Sequence, residues 1–144
     1  MANATMRKFG WPGTRIAELE HWAVMLRLQQ CTLGALVLAC KQPATRFSDV
    51  DAAGFAELGV AVKAIEAMLQ KAIGYQKINY LMLMMVDPDV HFHIFPRYEG
   101  EKTHHGLRVP DTGWPGPPRL DAFAEPADES TALLIAHLQA HWPG

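Results

Sequence analysis

Two cysteines, Cys31 and Cys40, are too few in a chain of 144 residues to build a disulfide framework. No His or Cys lies near them at metal-ligand spacing, so they read as reduced, structural thiols of a cytoplasmic protein. Excess positive charge is also missing: 13 Lys and Arg stand against 15 Asp and Glu, a net charge of −2. That balance argues against a binder of nucleic-acid polymers, which needs a basic face, but leaves open a small anionic ligand held by a local cluster. Long apolar runs are absent too. The longest, INYLMLMMV at 78–86, has nine residues, far below the roughly 20 that a bilayer span requires. The N-terminal MANATMRKFGWPG lacks the continuous apolar core of a signal peptide, and no internal repeat is visible. No membrane partner is expected. What remains is 49% apolar and 19% charged, the balance of a soluble globular chain. Residues 1–144 are read as one domain with a core about 14–98, followed by a Gly/Pro-rich loop and a C-terminal helix over 99–144.

The first thirteen residues read as an arm ahead of the fold. Thr14 is placed to cap a short helix running through Trp22. HWAVMLRL (21–28) and LGALVLACK (33–41) read as strands joined by a short link, hence an antiparallel pair. The longest helical pattern begins at Ser48 or Asp51 and ends at Gly74, with Phe55, Leu58, Val62, Ile65, Leu69 and Ala72 on one face. Gly59 within it would let a neighbour pack closely. KINYLMLMMV (77–86), apolar on both faces, reads as a central strand covered on each side. VHFHIF (90–95) then returns antiparallel to it. The stretch after Tyr98, rich in Gly and Pro, reads as an ordered loop without regular structure, anchored by Leu107 and Trp114. Residues 128–142 close the chain as an amphipathic helix capped by Asp128, with Leu133, Leu134 and Leu138 inside. The fold class is α+β: an antiparallel sheet, one long helix, and peripheral N- and C-terminal helices.

DPDVHFHIFPRY (87–98) carries the chemistry. Strand side chains alternate between faces, so Asp89, His91 and His93 share one face while Val90, Phe92 and Ile94 bury the other. A neutral imidazole can attack phosphorus and form a phospho-histidine, provided an acceptor orients its far nitrogen. A second imidazole about 7 Å along the strand can donate to the phosphate oxygens. The same residues admit a metal site, with His91, His93 and Asp89 as ligands completed by His104 or His105.

VHFHIFPRY resembles the signature of the histidine triad (HIT) superfamily of nucleotidyl hydrolases and transferases, in which three histidines alternate with apolar residues. TLGALVLACKQPATRFSDV and KINYLMLMM resemble, in order, the family's strand leading into its long helix and the strand before the motif. The likeness spans residues 20 to 98 and is nearest to short bacterial HIT-like proteins labelled diadenosine tetraphosphate hydrolases. It implies that His91 is the nucleophile, that His93 binds the α-phosphate, and that Asp89 stands in the first triad position, where the backbone carbonyl orients the nucleophile. It implies a dinucleoside polyphosphate or nucleoside phosphoramidate as substrate, no cofactor or metal in the chemistry, and a homodimer through a shared sheet. Two features depart from the pattern. Only VDPD separates the strands where the family has a Gly-rich, Gln-bearing phosphate loop, and Pro43 stands where it has a histidine. Arg97, Lys41 and Gln42 are candidate replacements for the lost phosphate donors, and Gln29, Gln30 and Thr32 for the base pocket. The shortened loop also motivates a second reading, a nucleotide-binding protein with little turnover. Trp114–Pro118 is read as a rigid loop packed on its own protein, with a polyproline ligand for a partner domain or a cover over the site as the alternatives.

Overall fold

The computed structural model describes residues 2–144. Its centre is a five-stranded antiparallel sheet in the order β1-β2-β3-β5-β4. The strands are β1 (Arg15–Glu18), β2 (Trp22–Leu26), β3 (Leu36–Cys40), β4 (Lys77–Leu81) and β5 (His91–Arg97). β2 and β3 form the expected antiparallel pair, with Trp22 opposite Cys40 and Leu26 opposite Leu36. Every residue of both is buried, which suits strands covered on two faces.

Alternation sorts this sheet into two cores. Trp22, Val24, Leu26, Leu36, Leu38, Cys40 and Ile94 point to one side. There they meet α2 (Ala52–Ala72) and α3 (Asp128–Ala140) through Ala61, Ile65, Met68, Leu69, Leu134 and Leu138. Ala23, Met25, Val37 and Ala39 point to the other side and meet Met6 of α1 (Ala4–Lys8). The residues that read as a free arm therefore fold. The Asn3 side chain accepts from the Met6 N–H and caps α1, a contribution of about 1 kcal/mol.

The Asp51 carboxylate caps α2 by accepting from the Gly54 N–H at 2.8 Å, and Gly74, at φ 77°, lets the chain turn out of it. Ile65 and Leu69 of the expected stripe are buried, but Phe55 is exposed and packs at a tilt against Phe47 instead. The buried face is rotated toward Ala61 and Met68. Gly59 faces open space, so its missing side chain serves no close approach.

Several further expectations are corrected. Residues 15–18 are strand rather than helix: Ile16 alone is buried among exposed or half-buried neighbours, and the open edge of β2 takes up their backbone groups. The Thr14 hydroxyl donates to the Phe9 carbonyl and caps nothing. β4 is an edge strand, because β5 inserts between it and β3, and the chain leaves the sheet after Leu81. Met85 and Val86 stand in solvent as part of the link. Beyond Tyr98 a regular hairpin forms from β6 (Glu101–His104) and β7 (Leu107–Pro110). His105 and Gly106 both have positive φ in its two-residue turn, the backbone such a tight hairpin requires. In α3 the cap position is Ala127, without a side-chain bond. Asp128 is the first helical residue, Leu134 and Leu138 are buried, and Leu133 is exposed. Among the described residues no helix is long and apolar enough to cross a membrane.

Candidate functional site

The two histidines sit on the α1 side of the sheet, as the alternation requires. His91 lies opposite Ala39 and His93 opposite Val37. The centroids of the two imidazole rings are 5.1 Å apart in an edge-to-face arrangement. Phe9, just past α1, lies over both, with ring centroids at 5.8 Å from His91 and 5.5 Å from His93. His91 is in consequence only 2% exposed and His93 9%.

His91 Nδ1 is 2.7 Å from the Asp89 carbonyl oxygen. A carbonyl can only accept, so Nδ1 carries the hydrogen and the neutral ring presents its lone pair at Nε2. His93 has the opposite arrangement. Arg27 Nε donates to His93 Nδ1 at 3.2 Å; a guanidinium can only donate, so the hydrogen of the neutral His93 ring resides on Nε2. Burial, and then the positive charge of Arg27 and the neighbouring His91, push the His93 pKa down to about 4. The site thus holds one imidazole whose Nε2 carries the lone pair beside another whose Nε2 carries the hydrogen.

A pocket of about 530 Å³ opens on His93, lined among others by Lys8, Phe9, Arg27, Gln29 and Asp87. Lys8 is paired with Asp87 at 2.6 Å. Arg27 lies within ion-pair distance of no carboxylate among the described residues. Its guanidinium stacks on Phe95, with 5.4 Å from Cζ to the ring centre, and its Nη1 donates to the Gln29 carbonyl and Cys31 Sγ. Burial raises the Cys31 thiol above the usual range, and both cysteines are free and buried.

The other sequence-derived residues fall elsewhere. The Asp89 carboxylate turns from the histidines and accepts from the Thr5 backbone N–H at 3.2 Å and from the Thr5 hydroxyl at 2.9 Å. Arg97 is buried away from the histidine pocket in a bidentate pair with Asp111, at 2.7 and 2.9 Å, and also bonds Asn79. Lys41 binds Glu18 and the Leu19 carbonyl, each at 2.8 Å. Gln42 holds Asp51 at the start of α2. The Gln30 side chain is fully buried and spent on the turn, donating to the Arg27 and Ala35 carbonyls and accepting from the Gly34 N–H. Thr32 is buried with an unpartnered hydroxyl and does not line the pocket. Gln29 does line it.

The metal arrangement does not assemble. His104 packs against His137 at 4.7 Å, beside α3, and Asp89 is taken by Thr5. Among the described residues no three His, Cys, Asp or Glu side chains are grouped to hold a metal ion. The Trp114–Pro118 loop faces β4 across a separate groove rather than covering the histidines.

Arg27, Lys8 and Phe9 are the residues that the linear pattern did not single out. A signal for Arg27 existed: a cation at an inward position of an otherwise apolar strand, in step with Ala23 and Met25. Lys8 and Phe9 gave none, since their role depends on where α1 lands.

No family model matches the chain, and no curated protein matches it. Solved structures do. A histidine triad protein from Sinorhizobium meliloti is 22% identical over 98% of this chain and 96% of its own, with a TM-score of 0.76. A histidine triad protein from Bradyrhizobium japonicum is 18% identical over 99% and 97%, also at 0.76. A hypothetical histidine triad nucleotide-binding protein from Sulfolobus tokodaii is 19% identical over 95% and 88%, at 0.73. The chain has the fold of these proteins, an α+β fold with an antiparallel sheet and one long helix.

Proposed function

We propose, with that fold as premise, that the chain is a nucleotidyl hydrolase of the histidine triad superfamily, acting on a dinucleoside polyphosphate or nucleoside phosphoramidate. The observation that carries this reading is the 2.7 Å contact between His91 Nδ1 and the Asp89 carbonyl. It leaves the Nε2 lone pair as nucleophile, and it comes from the backbone, so the aspartate in the first triad position costs nothing in orientation. In the proposed reaction His91 Nε2 attacks the α-phosphorus. The phosphorus bond to the leaving group breaks, and the leaving group departs with the bonding pair and takes up a proton. Water then attacks the phospho-histidine, releasing the nucleotide and restoring His91. His93 donates its Nε2 hydrogen to an α-phosphate oxygen as charge builds there, an interaction of about 3 kcal/mol in comparable sites. The attack needs no metal. The open edge of β4 is where a second copy would extend the sheet into a homodimer.

A second reading is favoured by Phe9: with His91 only 2% exposed, a nucleotide can occupy the His93 pocket without meeting the nucleophile. The chain would then bind nucleotides with little turnover. Incubation with dinucleoside polyphosphates and adenosine phosphoramidates, with and without chelator, separates the two. The hydrolase reading expects product from the wild type and none from His91→Ala. Activity that persists in His91→Ala removes the nucleophile. Binding seen by calorimetry without product over hours favours the second reading.

A further inference from the structure

We propose that Arg27 is the positioning residue of this site, the group that makes His93 a hydrogen-bond donor toward the pocket. The inference rests on the hydrolase reading for its catalytic meaning but not for its geometry. Arg27 follows the last residue of β2, and its N–H bonds the carbonyl of Ala35, just before β3, at 3.0 Å. Alternation therefore sets its side chain on the same face as Met25, Val37, His91 and His93. It reaches diagonally across the sheet to His93, which lies opposite Val37.

Three contacts hold the guanidinium before any ligand arrives: Phe95 below its plane, and the Gln29 carbonyl and Cys31 sulfur at Nη1. With Nη1 engaged, the Nε hydrogen is directed at His93 Nδ1 at 3.2 Å. Nη2 makes no hydrogen bond among the described residues, and Arg27 lines the pocket. Other cations of the fold are neutralised by a carboxylate, Lys8 by Asp87 at 2.6 Å and Arg97 by Asp111 at 2.7 Å. Arg27 instead donates to a ring nitrogen. The hydrogen of the neutral imidazole is thereby forced to Nε2, and protonation of the ring is opposed by an adjacent fixed charge. The groups facing His93 are Arg27 after β2, His91 on β5, Asp87 from the β4–β5 link and Lys8 of α1; of these only Asp87 favours the charged ring.

Nitrogen-detected NMR on imidazole-labelled full-length protein tests this without any substrate. The wild type is expected to show His93 as the Nε2–H tautomer, neutral down to a pH near the low value of about 4. In Arg27→Gln the His93 titration moves up from the wild-type value by the share that the Arg27 charge supplies, burial keeping it below the ordinary histidine range, and the Nε2–H tautomer is no longer exclusive. Arg27→Lys keeps a charge but not the planar Nε–H, so it holds part of the titration shift and loses the tautomer preference. A wild-type His93 carrying its hydrogen on Nδ1 overturns the proposal, as does an unchanged tautomer and titration in both variants. If Arg27→Gln does not fold, the wild-type tautomer and Arg27→Lys still decide. Absence of turnover with every nucleotide tested removes the hydrolase reading and leaves this result standing.

Discussion

The Asp89 carboxylate accepts from both the backbone N–H and the hydroxyl of Thr5, at 3.2 and 2.9 Å. Asp89 thus has two separable parts. Its carbonyl orients His91, and its side chain ties α1 down over the site. Lys8 with Asp87 and the Asn3 amide on the Cys40 carbonyl add further ties between the same segment and the sheet.

Replacing Asp89 by Ala should accordingly loosen α1 without disturbing His91. The expected loss is about 1.5–3 kcal/mol for a pair of bonds to a charged acceptor, read as a lower urea midpoint with little change in m. The His91 Nδ1–H signal should persist. Its disappearance would show that the carbonyl is not held independently of the side chain.

Phe9→Ala should uncover His91. Diethyl pyrocarbonate modification followed by peptide mass spectrometry is expected to label His91 several-fold faster in the variant than in the wild type. An unchanged rate would mean that Phe9 is not what shields the ring. On the hydrolase reading, the variant also turns over nucleotide no more slowly than the wild type.

Arg97 and Asp111 test the opposite role. Both are buried and bonded to each other twice, so Arg97→Met alone leaves a buried carboxylate without its partner. The expected cost is about 3–5 kcal/mol, seen as a large fall in the unfolding midpoint. A variant of unchanged stability that loses only nucleotide affinity would restore Arg97 as a ligand.

His93 also sets a pH dependence of stability. Burial, with Arg27 beside the ring, lowers its pKa in the folded state to about 4, whereas the unfolded chain has the ordinary value of about 6.5. Between these values the unfolded state binds more protons. The contribution is fully present above about 6.5 and is lost as pH falls through the folded pKa. Urea unfolding at pH 7.5 and 4.5 should show a smaller drop in His93→Gln than in the wild type. Equal drops would place His93 in solvent.

The sequence by itself determined the elements whose period shows in few residues. Alternation at 90–95 assigned the two faces of β5 correctly, because strand geometry leaves a side chain only two directions. The order of β2, β3, the long helix and β5 was legible from the apolar period of each, whereas the backbone role at position 89 was an expectation carried by the family resemblance alone. Residues 15–18 were not legible as strand, since four residues carry too little period and the deciding factor is the free edge of β2. Nor did the apolar face pairs of 77–86 reveal an edge position, which depends on where β5 inserts.

Only the tertiary structure decided what surrounds the histidines. Arg27 meets His93 across 66 residues of chain, and Asp89 meets Thr5 across 84. Lys41 and Arg97 sit close to the motif in sequence or across the sheet, yet nearer carboxylates claim them. A charged side chain takes whichever partner the fold brings within reach, and local pattern holds no information about that distance. The two histidines were written in the strand; the groups that meet their Nδ1 atoms are a carbonyl two residues away and an arginine just past the end of β2.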